Sequence, residues 1–276
     1  MKKIKNIEAW VDDGSELFLK ELREFNENGK EIIKERYFSA DMLEEKILTK
    51  YNDAGLVSEE INIGEDNEIN DKTIISRNEN GEPTEIKIEY ADGSLTIKTY
   101  LRENNGKTIT VSEASDEGEF EGKQRVKVDD KGNIIETEMI SEENEVLEKH
   151  LFDFDENGNI LNEKMFEKSQ MISETKYFYD EQMNLVKRVM VSPSGQTIDW
   201  ALFKYDENGN ISEQQFGDHT LYKLEYNENK KVVSEQKINA MGMMEYSKSY
   251  EYNEDGELIE EDNLIEKTIY KYNYYE

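Results

Sequence analysis

Tyr205-Asp206-Glu207-Asn208-Gly209-Asn210-Ile211 decides how this chain is read: an aromatic, an Asx, two polar residues, a glycine and a return to apolar sequence. Phe25-Asn26-Glu27-Asn28-Gly29-Lys30, Tyr51-Asn52-Asp53-Ala54-Gly55-Leu56, Phe154-Asp155-Glu156-Asn157-Gly158-Asn159 and Tyr252-Asn253-Glu254-Asp255-Gly256-Glu257 repeat the phrase. Its glycine position falls at 29, 55, 81, 106, 132, 158, 183, 209, 230 and 256, giving spacings of 26, 26, 25, 26, 26, 25, 26, 21 and 26. Met183 and Lys230 stand there without glycine, yet Tyr179-Asp180-Glu181 and Tyr226-Asn227-Glu228 keep the frame. Periods of this length are the mark of a repeat architecture.

One unit reads as a β-hairpin. An Asx-x-Asn-Gly run suits a type I turn closing on a residue with positive φ, where glycine avoids the Cβ penalty. The flanks, such as Glu31-Ile32-Ile33-Lys34 and Lys98-Thr99-Tyr100-Leu101, are rich in β-branched and aromatic residues. A second turn falls halfway through most units, at Asp92-Gly93, Asp116-Glu117-Gly118, Ser192-Pro193-Ser194-Gly195 and Met241-Gly242. Such close punctuation leaves room for strands and none for ordinary helices.

The expectation is therefore an all-β fold of roughly twenty antiparallel strands, an array of about ten hairpin repeats. Because strands twist, so long a sheet must coil, curl or close. With 36% hydrophobic residues, the apolar supply favours an elongated, curved, largely single-layer sheet. Residues 1–24 lack the phrase and read as an N-terminal cap, with residues 25–276 as one repeat domain.

The 276 residues carry 34 Lys plus Arg against 64 Asp plus Glu, a net charge of −30. Such a field repels nucleic-acid backbones and anionic bilayers, so the expected partner is a protein, basic in character, with no direct nucleic-acid or membrane binding. A mean hydropathy of −0.90 alone would suggest disorder, but 16 Tyr, 10 Phe and two Pro argue for a folded chain. There is no Cys, and no apolar run follows the basic Met1-Lys2-Lys3-Ile4-Lys5 start, so cytoplasmic residence is the default expectation.

At Phe154-Asp155-Glu156-Asn157-Gly158-Asn159-Ile160 and Tyr205-Asp206-Glu207-Asn208-Gly209-Asn210-Ile211 the sequence resembles the tyrosine-aspartate repeats of the Rhs and teneurin type. It is also similar to short bacterial antitoxins built from MORN-like hairpins. The Rhs resemblance implies a hairpin array that forms a closed shell in larger relatives, and ten units look too few to encapsulate a domain. The antitoxin resemblance implies a cytoplasmic inhibitor. Neither family lends a catalytic residue, so no enzyme activity is expected.

The residues themselves offer few sites. His150 and His219 stand far apart without a metal-binding context. Asp155, Asn157 and Asn159 alternate as early EF-hand ligands do, but Ile160 stands where the loop glycine belongs. No metal and no cofactor are expected. The aromatic distribution is more informative, since twelve of the sixteen Tyr lie within residues 177–276. Tyr246, Tyr250 and Tyr252, then Tyr270, Tyr272 and Tyr274, alternate along strands and so make same-face stripes. They read either as ladders that stabilise a thin sheet or as a partner-binding face. The leading functional expectation is a non-enzymatic, acidic inhibitor of the immunity or antitoxin type that docks a protein. The alternatives are a DNA mimic and a structural or cell-surface repeat segment.

Overall fold

The structure, a computed structural model, describes residues 2–40 and 42–276. It holds 22 strands: β1 Ile4–Asp12, β2 Leu17–Phe25, β3 Glu31–Ser39, β4 Met42–Tyr51, β5 Val57–Ile63, β6 Ile69–Arg77, β7 Pro83–Tyr90 and β8 Leu95–Glu103 come first. Then follow β9 Thr108–Ser115, β10 Phe120–Val128, β11 Ile134–Ile140, β12 Val146–Phe154, β13 Ile160–Glu167, β14 Gln170–Tyr179 and β15 Leu185–Val191. The last are β16 Thr197–Tyr205, β17 Ile211–Phe216, β18 Leu221–Tyr226, β19 Val232–Ile238, β20 Met244–Tyr252, β21 Leu258–Asp262 and β22 Lys267–Tyr274. A three-residue 3₁₀ turn, Asn104–Gly106, is the one helical element among the described residues.

The turn chemistry behaves as the sequence predicts. At Asp206 the backbone N–H donates to Asn210 O at 2.8 Å, and Gly209 N–H returns to Asp206 O at 3.1 Å. The Asp206 Oδ1 accepts the N–H groups of Asn208 and Asn210 at 2.9 and 2.8 Å, and Asn210 Nδ2 donates to Oδ2 at 2.9 Å. Gly209 has φ +79°. The same backbone pair of bonds closes the mid-unit turns, for example Tyr90 N to Ser94 O and Ser192 N to Gln196 O. Met183 and Lys230 hold φ of 65° and 59° without glycine, a conformation that costs an L side chain about 1–2 kcal/mol.

Two kinds of Asx occupy this turn. Hydrogen bonding holds the carboxyls of Asp129, Asp155 and Asp206 below their usual range, first through the side-chain amides of Asn133, Asn159 and Asn210. For Asp180 the backbone N–H of Asn184 comes first. A folded-state value below the unfolded one stabilises the fold above the unfolded pKa, and that contribution is lost as pH falls through the folded one. Asn26 makes the equivalent bonds, from Asn28 N at 3.0 Å and Lys30 N at 3.1 Å, with no proton to gain. We therefore expect the fourfold variant Asp129→Asn, Asp155→Asn, Asp180→Asn, Asp206→Asn to lose less melting temperature below about pH 4 than the parent protein. A control carrying Glu156→Gln, Glu181→Gln and Glu207→Gln removes charge from three of these four turns; equal flattening there would assign the effect to bulk charge.

Two compact units divide the strands. The first comprises the chain through Thr99, Ala114–Glu119 and Lys248–Glu276. In it β21, β22, β1, β2, β3, β4, β5, β6 and β7 pair antiparallel in that order. Residues 1–24 contribute β1 and most of β2 as ordinary ladder strands. The second unit, Tyr100–Glu113 and Phe120–Ser247, is a meander from β10 to β19.

One expectation is corrected here. All 22 strands belong to one antiparallel sheet, and β1 pairs with β22 from Ile4↔Tyr274 to Asp12↔Lys267. The pairing order therefore closes on itself instead of ending as the elongated open array expected from the repeats. The physical reason is the edge: an open array leaves two rows of unpaired N–H and C=O groups, and closure removes both.

The hydrophobic interior is sparse. Ala9, Val11, Phe18, Ile140 and Ala201 are the buried apolar residues, and no large side chain is fully buried among the described residues. The accessible surface is 17629 Å², against roughly 12,400 Å² for a compact monomer of this mass. Cross-strand ion pairs share the stabilisation. Glu59 sits between Lys50 and Lys72 at 2.6 and 3.1 Å. In the second unit Glu136 takes Lys127 and Lys149, while Glu138, the buried carboxylate, takes Arg125 at 3.0 Å and Lys149 at 3.4 Å. Much of the acidic charge is thus structural, carried in alternating rows across the strands.

Candidate functional site

The phrase aromatic has a defined task. Tyr51 donates its hydroxyl to Glu31 O at 2.7 Å, Tyr179 to Ile160 O at 2.8 Å, Tyr205 to Leu185 O at 2.9 Å, and Tyr226 to Ile211 O at 3.0 Å. Each acceptor lies two residues beyond the glycine position of the preceding unit. Tyr272 reaches Leu258 O by the same rule at 2.8 Å. These bonds tie each turn to the next unit and satisfy a carbonyl where the strand begins. Sequence reasoning missed one member: Arg77 stands where the Tyr belongs, and its guanidinium donates to Val57 O at 3.2 Å through Nη2 and to Gly81 O at 3.0 Å through Nη1. Its place before Asn78-Glu79-Asn80-Gly81 was the available signal.

The six tyrosines singled out from sequence are all half-buried. Tyr272 is a tie of the kind just described. Tyr246 donates to Glu235, and Tyr274 donates to Glu257 at 2.6 Å. Burial, then Glu235, pushes the Tyr246 phenol upward. Burial beside Glu261 and Glu21 pushes Tyr270 up to about 12, and the Glu257 hydrogen bond takes Tyr274 up to about 12. Tyr250 and Tyr252 lie on the same strand, β20, as Tyr246. The hydroxyls of Tyr246, Tyr272 and Tyr274 therefore serve the sheet itself.

The other candidates have local work too. His150 lies between Glu163 and Glu148, at 2.8 and 3.0 Å, and stacks on Phe152. His219 occupies the β17–β18 turn at φ +65° and meets Trp200 edge-on. Asp155 spends its carboxylate on Asn157 N, Asn159 N and Asn159 Nδ2, so the EF-hand-like alternation is the turn itself. Among the described residues no cluster of three or more His, Asp or Glu is arranged to hold a metal ion. No helix among the described residues is long and apolar enough to cross a membrane.

The first unit also carries a set of exposed apolar turns. Leu264 and Ile265, at the β21–β22 turn, are 82% and 86% exposed. Leu264 holds φ +71°, a conformation that is strained for a branched side chain. Because β22 pairs with β1 and β2 with β3, the β1–β2 and β3–β4 turns follow at the same end. They present Leu17, Phe38 and Met42, all more than half exposed. Carboxylates flank them: Asp12, Asp13, Glu16, Asp262 and Glu266. Asp13 is held below the usual carboxylate range, chiefly by its hydrogen bond from the Ser15 side chain. Chemically this is a strip of apolar tips in an acidic border.

Comparison with known proteins adds the family. No curated protein matches the chain. The crystal structure of TcdB2-TccC3-Cdc42 is similar over 92% of this chain at 13% identity, with a TM-score of 0.41. This chain spans 16% of that one. A porin-like protein from Bacteroides uniformis is 8% identical over 98% of both chains, with a TM-score of 0.36. The family model described as teneurin YD-shell matches residues 13–275, the span that carries the repeated turns and their tyrosine ties, and the chain belongs to that family.

Proposed function

We propose that this chain is a non-catalytic structural repeat segment of the YD-shell type that engages a protein partner through the apolar turns of its first unit. The repeat reading is supported by the family and by the use of conspicuous polar side chains in turns, ties and ladders. It takes precedence over an immunity, antitoxin or DNA-mimic role, which no observation favours. The single observation behind the contact is the Leu264-Ile265 turn, an exposed apolar pair whose Leu264 holds a positive φ that glycine would adopt free of cost. The acidic border selects the partner: a protein with an apolar patch ringed by Lys and Arg, drawn in by the charge of the chain.

The triple variant Leu17→Ser, Leu264→Ser, Ile265→Ser removes the tips while leaving the ladders intact. Against a partner purified from the native host with the parent protein, it should lose at least about 2 kcal/mol of affinity, the scale of an interface hot spot. Far-UV circular dichroism should stay unchanged. Equal affinity in the folded triple variant would overturn the assignment.

A further inference from the structure

The unit between Gly209 and Lys230 is spaced at 21 residues where its neighbours take 25 or 26. Its strands β17 and β18 have six residues each, against nine in β16. Pairing of β16 with β17 ends at Ala201↔Phe216, so residues 197–200 run past the end of the short hairpin. A hollow of about 530 Å³ results, lined by Asp199, Gln214, Phe216, Asp218, Tyr222 and Lys237, all within the second unit. This lies in the size range of small-molecule sites.

Gly217 keeps the hollow open. A Cβ on it would lie 2.5 Å from Asp199 Oδ1 and 3.3 Å from Trp200 N. Asp199 gives only Oδ2 to Arg188, at 3.1 Å, which leaves Oδ1 against the glycine as an acceptor. Asp218 is fixed by the Thr220 N–H at 2.9 Å. Phe216 and Tyr222 stand at 90° with centroids 5.8 Å apart, and both rings border the space. Lys237 is engaged by Glu245 at 2.7 Å. Asp199, Asp218 and Glu245 against Arg188 and Lys237 give −3 + 2 = −1, so the site favours a cation.

We propose that this hollow binds a guanidinium group, the end of an arginine side chain carried by a peptide or protein. A planar guanidinium can lie on an aromatic face while its fork meets a carboxylate, which a compact ammonium cannot do at once. The site belongs to the second unit, and the proposal does not rest on the apolar turns of the first.

The test is titration of the ¹⁵N-labelled full chain with Nα-acetyl-arginine amide, following the Gly217, Thr220 and Trp200 amides. Saturable shifts are expected with Kd of ~1–20 mM, the strength of an isolated side chain. Nα-acetyl-lysine amide should bind at least about fivefold more weakly. Gly217→Ser, which places a side chain in the hollow, and Asp199→Asn, which removes the charge, should each weaken binding at least about fivefold. Spectra of both variants establish that they are folded, and the isosteric Asp199→Asn keeps the shape if Gly217→Ser does not. Absence of saturable shifts, equal affinity for the lysine compound, or unchanged binding in a folded variant would overturn the proposal.

Discussion

Removing residues 264–276 should abolish the monodisperse, cooperatively melting state of the protein. The deletion takes β22, whose pairing with β1 runs from Tyr274 to Lys267. It also takes the Tyr272 tie to Leu258 O, the Tyr275 hydroxyl bond to Phe25 O at 2.5 Å, and Lys271, whose ammonium sits 4.5 Å above the Trp10 ring. Eight cross-strand pairs at a few tenths to 1 kcal/mol each, with their ladder bonds, put the loss on the order of 5 kcal/mol. That is comparable with the whole stability of a typical domain. Two edges would also be opened, the nine-residue β1 and the five-residue β21, and such edges pair with other copies. Light scattering coupled to size exclusion should show association, and circular dichroism a broadened, lowered transition. A monomeric truncated chain with an unchanged melting curve would mean that the β1–β22 ladder contributes little.

Replacing Tyr51, Tyr205 and Tyr272 together by Phe should destabilise the fold by about 3 kcal/mol, as the sum of three effects of about 1 kcal/mol each. Each substitution keeps the ring and removes one hydroxyl bond to a strand-initial carbonyl. The three sites lie in separate hairpin repeats, so their effects should add. Urea unfolding checks this through the shift in midpoint at constant slope. A second variant, Arg77→Leu, tests whether the guanidinium does the same work, and its effect should at least match that of one tyrosine because two carbonyls lose their donor. A triple variant as stable as the parent would reduce the hydroxyl bonds to incidental contacts.

The turns were legible because their causes are local. Asp206 and Gly209 act within five residues, and an Asx side chain that accepts two N–H groups specifies the loop wherever it occurs. The same locality made the strand count and the antiparallel order readable, and it let Met183 and Lys230 be recognised as turn positions without glycine. The identity of the tyrosine acceptors was less accessible. Tyr205 bonds a carbonyl 20 residues earlier, and only the pairing register between strands brings the two together.

The stripes at Tyr246–Tyr252 and Tyr270–Tyr274 show the limit most clearly. Alternation places their rings on one face, but whether a phenol meets solvent, a carboxylate or a carbonyl depends on the neighbouring strand. Glu235 and Glu257 supply that answer. Closure lies furthest from the sequence: Asn6 and Asn273 meet across 267 residues, and no turn or period encodes that encounter. A repeat specifies how each unit meets the next and says nothing about its two ends. Sequence alone determined the hairpins, their turns and their order. Tertiary structure decided that β1 and β22 satisfy each other, because pairing removes two rows of unpaired edge groups.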